Sequence, residues 1–162
     1  MINTAQKKIS ATGYRNGKPF KLDLKLIAPG HFLAVSAADS FLEMYAAASK
    51  DGIDLVVNTA FRDHAWQSRL WNEWIHKIAR WENTPESQRG KRPLKPARPG
   101  YSNHQQGLAV DINRAPGDNP DTAAYDSPVD LWLRKHAIEY NYHNTIEIEP
   151  WHWEYKRPWA TT

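Results

Sequence analysis

The sequence predicts an α+β fold: a small antiparallel sheet with helices packed against it, in one domain spanning residues 1–162. Three observations carry that expectation. Two extended runs near the N-terminus flank Asn16-Gly17, the dipeptide of a tight hairpin. Between about residue 36 and residue 81, two stretches of helical periodicity enclose a run rich in β-branched residues. The last third adds short strand-like runs at 107–113, 146–149 and 151–155, with one helical stretch among them.

Taken in order, the second hairpin arm, Phe20 to Leu26, alternates apolar and charged residues and reads as a strand with one wet face. Ser36 can cap a helix running to about Lys50, with Phe41, Leu42 and Tyr45 on its apolar face and Gly52 just past its end. Ile53 to Phe61 reads as a buried strand. Asp63 caps a longer helix through about Trp81, on which Trp66, Leu70, Trp74, Ile78 and Trp81 keep helical spacing, as core would.

Residues 82–101 hold Pro85, Pro93, Pro96, Pro99, Gly90 and Gly100 together with Arg89, Lys91, Arg92, Lys95 and Arg98, and read as a long basic loop. Gly107 to Asn113 is the next strand, and Ser127-Pro128 opens a helix to about Tyr140, with proline in its first turn.

Composition narrows the function classes. With 41% hydrophobic residues and eight Trp, the chain is globular rather than disordered. It has no cysteine, which excludes disulfides and thiolate metal sites, so a zinc ion would take His, Asp or Glu. No apolar stretch is long enough to span a bilayer, and Lys7 and Lys8 precede no apolar segment of a secretory signal. The expectation is synthesis in the cytoplasm without a signal peptide and no stable membrane insertion, so that a substrate outside the membrane would be reached only after release. A net charge of +3 favours an anionic polymer such as cell wall or nucleic acid. No nucleic-acid-binding motif is present, so no nucleic-acid partner is expected, and the chain is expected to be a monomer.

Three short segments concentrate the chemistry: Ser102-Asn103-His104, Gly107 to Asp111, and Glu149-Pro150-Trp151-His152. They read together as one metal-dependent hydrolase site, offering two imidazoles and a carboxylate as ligands and one spare carboxylate. A catalytic zinc needs three protein ligands and an open position, and the spare carboxylate can take a proton from attacking water. Gly107 allows the chain to turn closely between His104 and Asp111. Pro150 permits a bend between Glu149 and His152, which a straight strand would point to opposite faces, and Trp151 and Trp153 can wall the site. Each residue also has a plainer reading. His104 could be a surface loop residue, Asp111 and Ser102 turn formers, and His152 an edge histidine of an aromatic strand. His31, His64, His76, His136 and His143 fit no such pattern, and Asp118 and Asp121 flank Pro120 as turn residues.

The combined pattern, Ser-x-His, six residues, Asp, then Glu-x-x-His, resembles the VanY-like family of zinc D-alanyl-D-alanine carboxypeptidases and dipeptidases linked to vancomycin resistance. That family includes phage cell-wall endolysins. The resemblance extends to Phe61-Arg62 with Gln67 and to Ala97 through Tyr101, covering roughly residues 50–156. It implies a zinc cleft on the sheet, with His104, Asp111 and His152 as zinc ligands and Glu149 as general base. Arg62 is implied to polarise the scissile carbonyl; its plainer reading is a solvated charge beside Asp63. Ser102 and Gln67 are implied to contact substrate. The implied partner is peptidoglycan and the implied reaction is hydrolysis of its stem peptides, as in an endolysin. Glu149 matches the branch that trims terminal D-alanine; the L-alanyl-D-glutamate endopeptidase branch usually has Asp there. A zinc-containing wall-binding module without catalysis is the alternative of another class.

Overall fold

The computed structural model describes residues 8–113 and 125–158. The readings of Asp118 and Asp121 lie outside the described residues. The fold is α+β, as expected, but its β layer is divided into two sheets. The first holds β1 (Lys8–Arg15), β2 (Lys18–Ala28) and β3 (His31–Ala34) in that order. The second holds β4 (Val57–Thr59), β5 (Ala109–Ile112), β6 (Tyr142–Asn144) and β7 (His152–Tyr155), in the order β4-β5-β7-β6. All pairings are antiparallel.

The β1–β2 hairpin turns at Asn16 and Gly17, both at positive φ, with Arg15 paired to Lys18. This is the two-residue loop whose twist matches the flanking strands. Leu22, Leu24 and Leu26 point inward from β2. A bulge between Leu26 and Ala28 breaks the period of two, so Ile27 is buried as well. His31, expected in a loop, begins β3, and His143 lies on β6.

Helix α1 (Val35–Lys50) starts one residue before the expected Ser36 cap, from Ala34, with no side-chain cap. Its buried stripe is Ala37, Ala38, Phe41, Met44 and Ala48. Tyr45, expected on that face, is exposed, because it falls outside the stripe of positions 37, 38, 41, 44 and 48 that faces the core. The core is continuous across both sheets. Leu24 and Leu33 of the first sheet, Phe41 and Met44 of α1, and Val110, Tyr142 and Trp153 of the second belong to one cluster.

Asp63 caps α2 (His64–Asn83), accepting from the Trp66 N–H at 2.7 Å. The aromatic stripe of α2 is not core, however: Gln67 is the helix's one buried residue. Instead, residues 84–99 fold back along the helix and half-cover the indoles. The expected strand 53–61 is ordered as β4 only over Val57–Thr59. The expected strand 146–149 is a turn. The Glu149 N–H donates to the Ile146 carbonyl at 2.9 Å, and Ile146 and Ile148 are exposed. Helix α3 (Pro128–His136) is capped by Ser127 and ends in a 3₁₀ turn through Tyr140, as the sequence led us to expect. No described helix is long and apolar enough to cross a membrane.

Candidate metal centre

Two loops and two strands of the second sheet carry the site. A 3₁₀ turn, Asn103–Gln106, carries His104 and is capped by Ser102, whose Oγ accepts from the His104 N–H at 3.2 Å. Gly107 ends the turn in the left-handed region, at φ 66°. A Cβ there would lie 2.7 Å from the Ala34 backbone nitrogen, which donates to the Gly107 carbonyl at 2.9 Å. The chain turns at Gly107 as expected, and the close approach there, which was not expected, is to β3 and seats the histidine turn against it. Strand β5, buried on both faces, carries Asp111, which pairs directly with His152 at the start of β7.

His104, Asp111 and His152 are all buried, and each has a ligand atom within 4.8 Å of the others'. Asp111 Oδ1 lies 3.3 Å from His104 Nε2 and 3.1 Å from His152 Nδ1. The remaining ring nitrogens fix which atoms face the centre. His104 Nδ1 is 2.7 Å from the Ala60 carbonyl, which can only accept, so Nδ1 carries the proton and Nε2 is the donor atom for a metal. His152 is turned the other way. Its Nε2 is 2.9 Å from Glu154 Oε1, which leaves Nδ1 facing the centre.

The electrostatics suit a cation. Burial keeps the His104 imidazole neutral against the pull of Asp111, and neutral is the ligating form. Burial would raise the Asp111 carboxyl, but His104, His152 and Arg62 together hold it below the ordinary carboxylate range. Burial likewise opposes charge on His152, yet hydrogen bonds to Asp111 and Glu154 raise it to about 9. Glu154 is half-buried; His152 and Asn103 more than offset that burial and bring it down to about 2. Two buried imidazoles and an ionised carboxylate, each oriented by a further hydrogen bond, fit a tetrahedral zinc with one open position.

The other expected residues are placed as follows. Arg62 is nearly buried; its guanidinium donates to Asp111 Oδ2 at 2.9 Å and to Thr59 Oγ1 at 3.3 Å. It stands beside the triad. Glu149 is half-buried in the turn before β7. Its carbonyl accepts from the His152 N–H at 2.9 Å and from Asn144 Nδ2 at 2.8 Å. The expected bend at Pro150 thus exists, as a turn rather than a bent strand. Ser102 is buried as a cap, and Gln67 is buried with its amide donating to the Ala97 carbonyl at 2.8 Å. Trp153 points away from the site into the core.

Sequence reasoning missed Glu154. The signal was available: on a strand, residues two apart share a face, so a carboxylate two residues past His152 stands beside its ring. It also missed the hairpin's part in the site. Gly17 N–H donates to the Gly100 carbonyl at 3.0 Å, and Arg15 Nε donates to Gln106 Oε1 at 2.8 Å. Tyr14 stacks on His64 with centroids 4.3 Å apart, and His64 Nδ1 lies 3.3 Å from Gln105 Nε2. The hairpin tip therefore braces the turn that carries His104.

The family model described as VanY, D-alanyl-D-alanine carboxypeptidase, matches residues 30–158. The protein YodJ of Bacillus subtilis (strain 168) is 28% identical over 137 residues, covering 76% of this chain and 46% of its own length. A D-alanyl-D-alanine carboxypeptidase of Enterococcus faecalis (strain ATCC 700802 / V583) is 22% identical, covering 84% of this chain and 53% of its own. The chain thus spans about half the length of these two relatives. Among solved structures, VanYB in complex with D-alanine-D-alanine superposes with a TM-score of 0.63 at 23% identity, covering 88% of this chain and 83% of the other. A mutant of the D,D-pentapeptidase VanY from the VanB-type resistance cassette, in complex with Zn(II), gives 0.61 at 24% identity, covering 83% and 78%. These two likenesses establish the fold.

Proposed function

The chain belongs to the VanY family of D-alanyl-D-alanine carboxypeptidases, and from that premise we propose that it is a zinc-dependent peptidase of peptidoglycan stem peptides that removes terminal D-alanine. The observation that carries the proposal is the buried triad of His104, Asp111 and His152, with ligand atoms within 4.8 Å of one another.

A zinc ion held by His104, Asp111 and His152 would supply Lewis acidity, which makes water nucleophilic at neutral pH. The protein's own groups supply the rest. Glu149, three residues before His152, takes the proton of the attacking water and returns it to the leaving amine. Arg62 offers its guanidinium to the carbonyl oxygen as that oxygen gains charge, in a nearly buried setting where the attraction is strong. Asp111 holds Arg62 ready at 2.9 Å, so the arginine spends little conformational freedom on the reaction. Ser102 keeps the His104 turn in shape, and with Gln67 it forms part of the substrate contact.

The finer role we propose is that of an endolysin acting as a monomer on the wall after release from the cytoplasm; the net charge of +3, suited to an anionic wall, supports it. Mass spectrometry of purified peptidoglycan digested by the zinc-loaded protein tests the reaction. Stem peptides shortened by one D-alanine are expected. New termini between L-alanine and D-glutamate would make it an endopeptidase, and zinc loading with no new termini would make it a binding module.

A further inference from the structure

Apart from Gln67, helix α2 and the segment that returns along it carry no residue of the hydrolytic site. Twenty residues long, α2 buries only Gln67. The following segment is strapped to one helix face by three bonds. Trp81 Nε1 donates to the Gly90 carbonyl at 2.7 Å, Trp74 Nε1 to Pro93 at 3.4 Å, and Gln67 Nε2 to Ala97 at 2.8 Å. The donors recur every seven residues, or about two helical turns and 10 Å. Three or four residues of extended strap cover the same distance, so the strap runs antiparallel to the helix in register with it. Its prolines have no N–H to offer, and the helix side chains supply the donors.

What this unit presents to solvent is cationic and aromatic. Arg89 lies 4.7 Å over the Trp81 ring, and Lys95 Nζ lies 5.5 Å from Trp71 and 5.4 Å from Trp74. A groove of about 430 Å³ opens between Trp74, Arg92, Pro93, Leu94 and Lys95. Residues 64–100 hold eight basic and three acidic side chains, a net of +5, whereas the whole chain carries +3. The positive charge of the protein therefore resides in this unit, and the remainder is net negative.

Both ends of the unit join the metal centre. Its helix follows Arg62, which is bonded to Asp111, and its strap leads through Ser102 into His104. Trp74 lies ten residues into the helix, about 15 Å along its axis from that end. We propose that this groove is a second binding site for the anionic wall polymer, holding a sugar face against Trp74 and free stem-peptide carboxylates with Arg92 and Lys95 while another stem peptide occupies the metal centre. The proposal rests on the peptidoglycan reading for its ligand but not on the hydrolytic step.

The test uses the zinc-loaded full chain and the double variant Arg92→Glu/Lys95→Glu, with Arg92→Ala/Lys95→Ala as a gentler second variant. Co-sedimentation with purified peptidoglycan sacculi measures binding, and cleavage of a short soluble stem peptide measures the metal centre separately. The charge-reversed protein is expected to bind sacculi at least about tenfold more weakly, with the alanine variant intermediate. Both should cleave the soluble peptide at the parent rate, and parent binding should weaken as salt rises. Unchanged sedimentation of both variants would overturn the proposal, as would an equal loss on sacculi and on the soluble peptide. Parent binding to DNA or to vesicles of anionic phospholipid as tight as binding to sacculi would overturn the assignment of the polymer. Absence of soluble-peptide cleavage in the parent would count against the peptidase reading alone, because sedimentation needs no hydrolysis.

Discussion

Replacing Glu154 with alanine sets two effects against each other, and pH separates them. Glu154 Oε1, 2.9 Å from His152 Nε2, fixes the ring so that Nδ1 faces Asp111. Loss of such an orienting partner typically weakens metal binding about 10–100-fold, or about 1.4–2.7 kcal/mol. The same carboxylate helps raise His152 to about 9 in the metal-free protein, so zinc must expel a proton from that ring at neutral pH. A raised histidine pKa favours the protonated, metal-free form below that value and ceases to compete above it. Without Glu154 the imidazole gives up its proton at lower pH, which partly offsets the lost orientation. Glu154→Ala should therefore bind zinc about 10–100-fold more weakly above pH 9 and lose part of that deficit near pH 7. Glu154→Gln, which keeps an acceptor of the same shape, should fall between. Competition with a chromophoric chelator across this pH range measures the difference. An alanine variant that matches the parent above pH 9 would refute the orienting role of Glu154 and the assignment of Nδ1 as the ligand atom.

Other substitutions separate the remaining roles. Glu149→Gln should retain zinc and lose about 10²–10⁴-fold in turnover, because an amide cannot accept the water's proton. His152→Ala should lose both, as read by metal analysis and peptide hydrolysis on the same preparations. Chelation should abolish hydrolysis and added zinc restore it; full turnover in protein verified as metal-free would exclude the metal mechanism. Gly107→Ala, forced into the left-handed region with its Cβ 2.7 Å from the Ala34 nitrogen, should cost at least about 1–2 kcal/mol. That is a fall of about 3 °C or more in Tm by thermal denaturation.

The features legible in the sequence were those governed by neighbouring residues. Asn16-Gly17 turned the hairpin, Asp63 and Ser127 capped their helices, and Gly107 took the left-handed turn after His104, because each effect acts within a few residues. The triad was legible because the spacings of His104 to Asp111 and of Glu149 to His152 occur together in one chain. What depended on distant partners was not. Strand β3 has four residues and exists through its pairing with β2. The run 146–149 reads as a strand, but Pro150 lacks a ladder donor and the segment closes into a turn. The tryptophans of α2 keep the spacing of a core stripe, and periodicity alone cannot say whether a sheet or a proline-rich strap will cover them.

The brace between the hairpin tip and the histidine turn has a thermodynamic consequence. Arg15 and Gln106 are 91 residues apart, and closing so long a loop costs about 4 kcal/mol of chain entropy. All three proposed ligands lie within the later part of the chain, from His104 to His152. Ion binding and hairpin docking are thus separate events that each order the same turn, and linkage makes their coupling reciprocal. A chain cleaved ahead of Gly17 should hold zinc more loosely although every ligand remains. Zinc, in turn, should slow proteolysis at a hairpin it never touches.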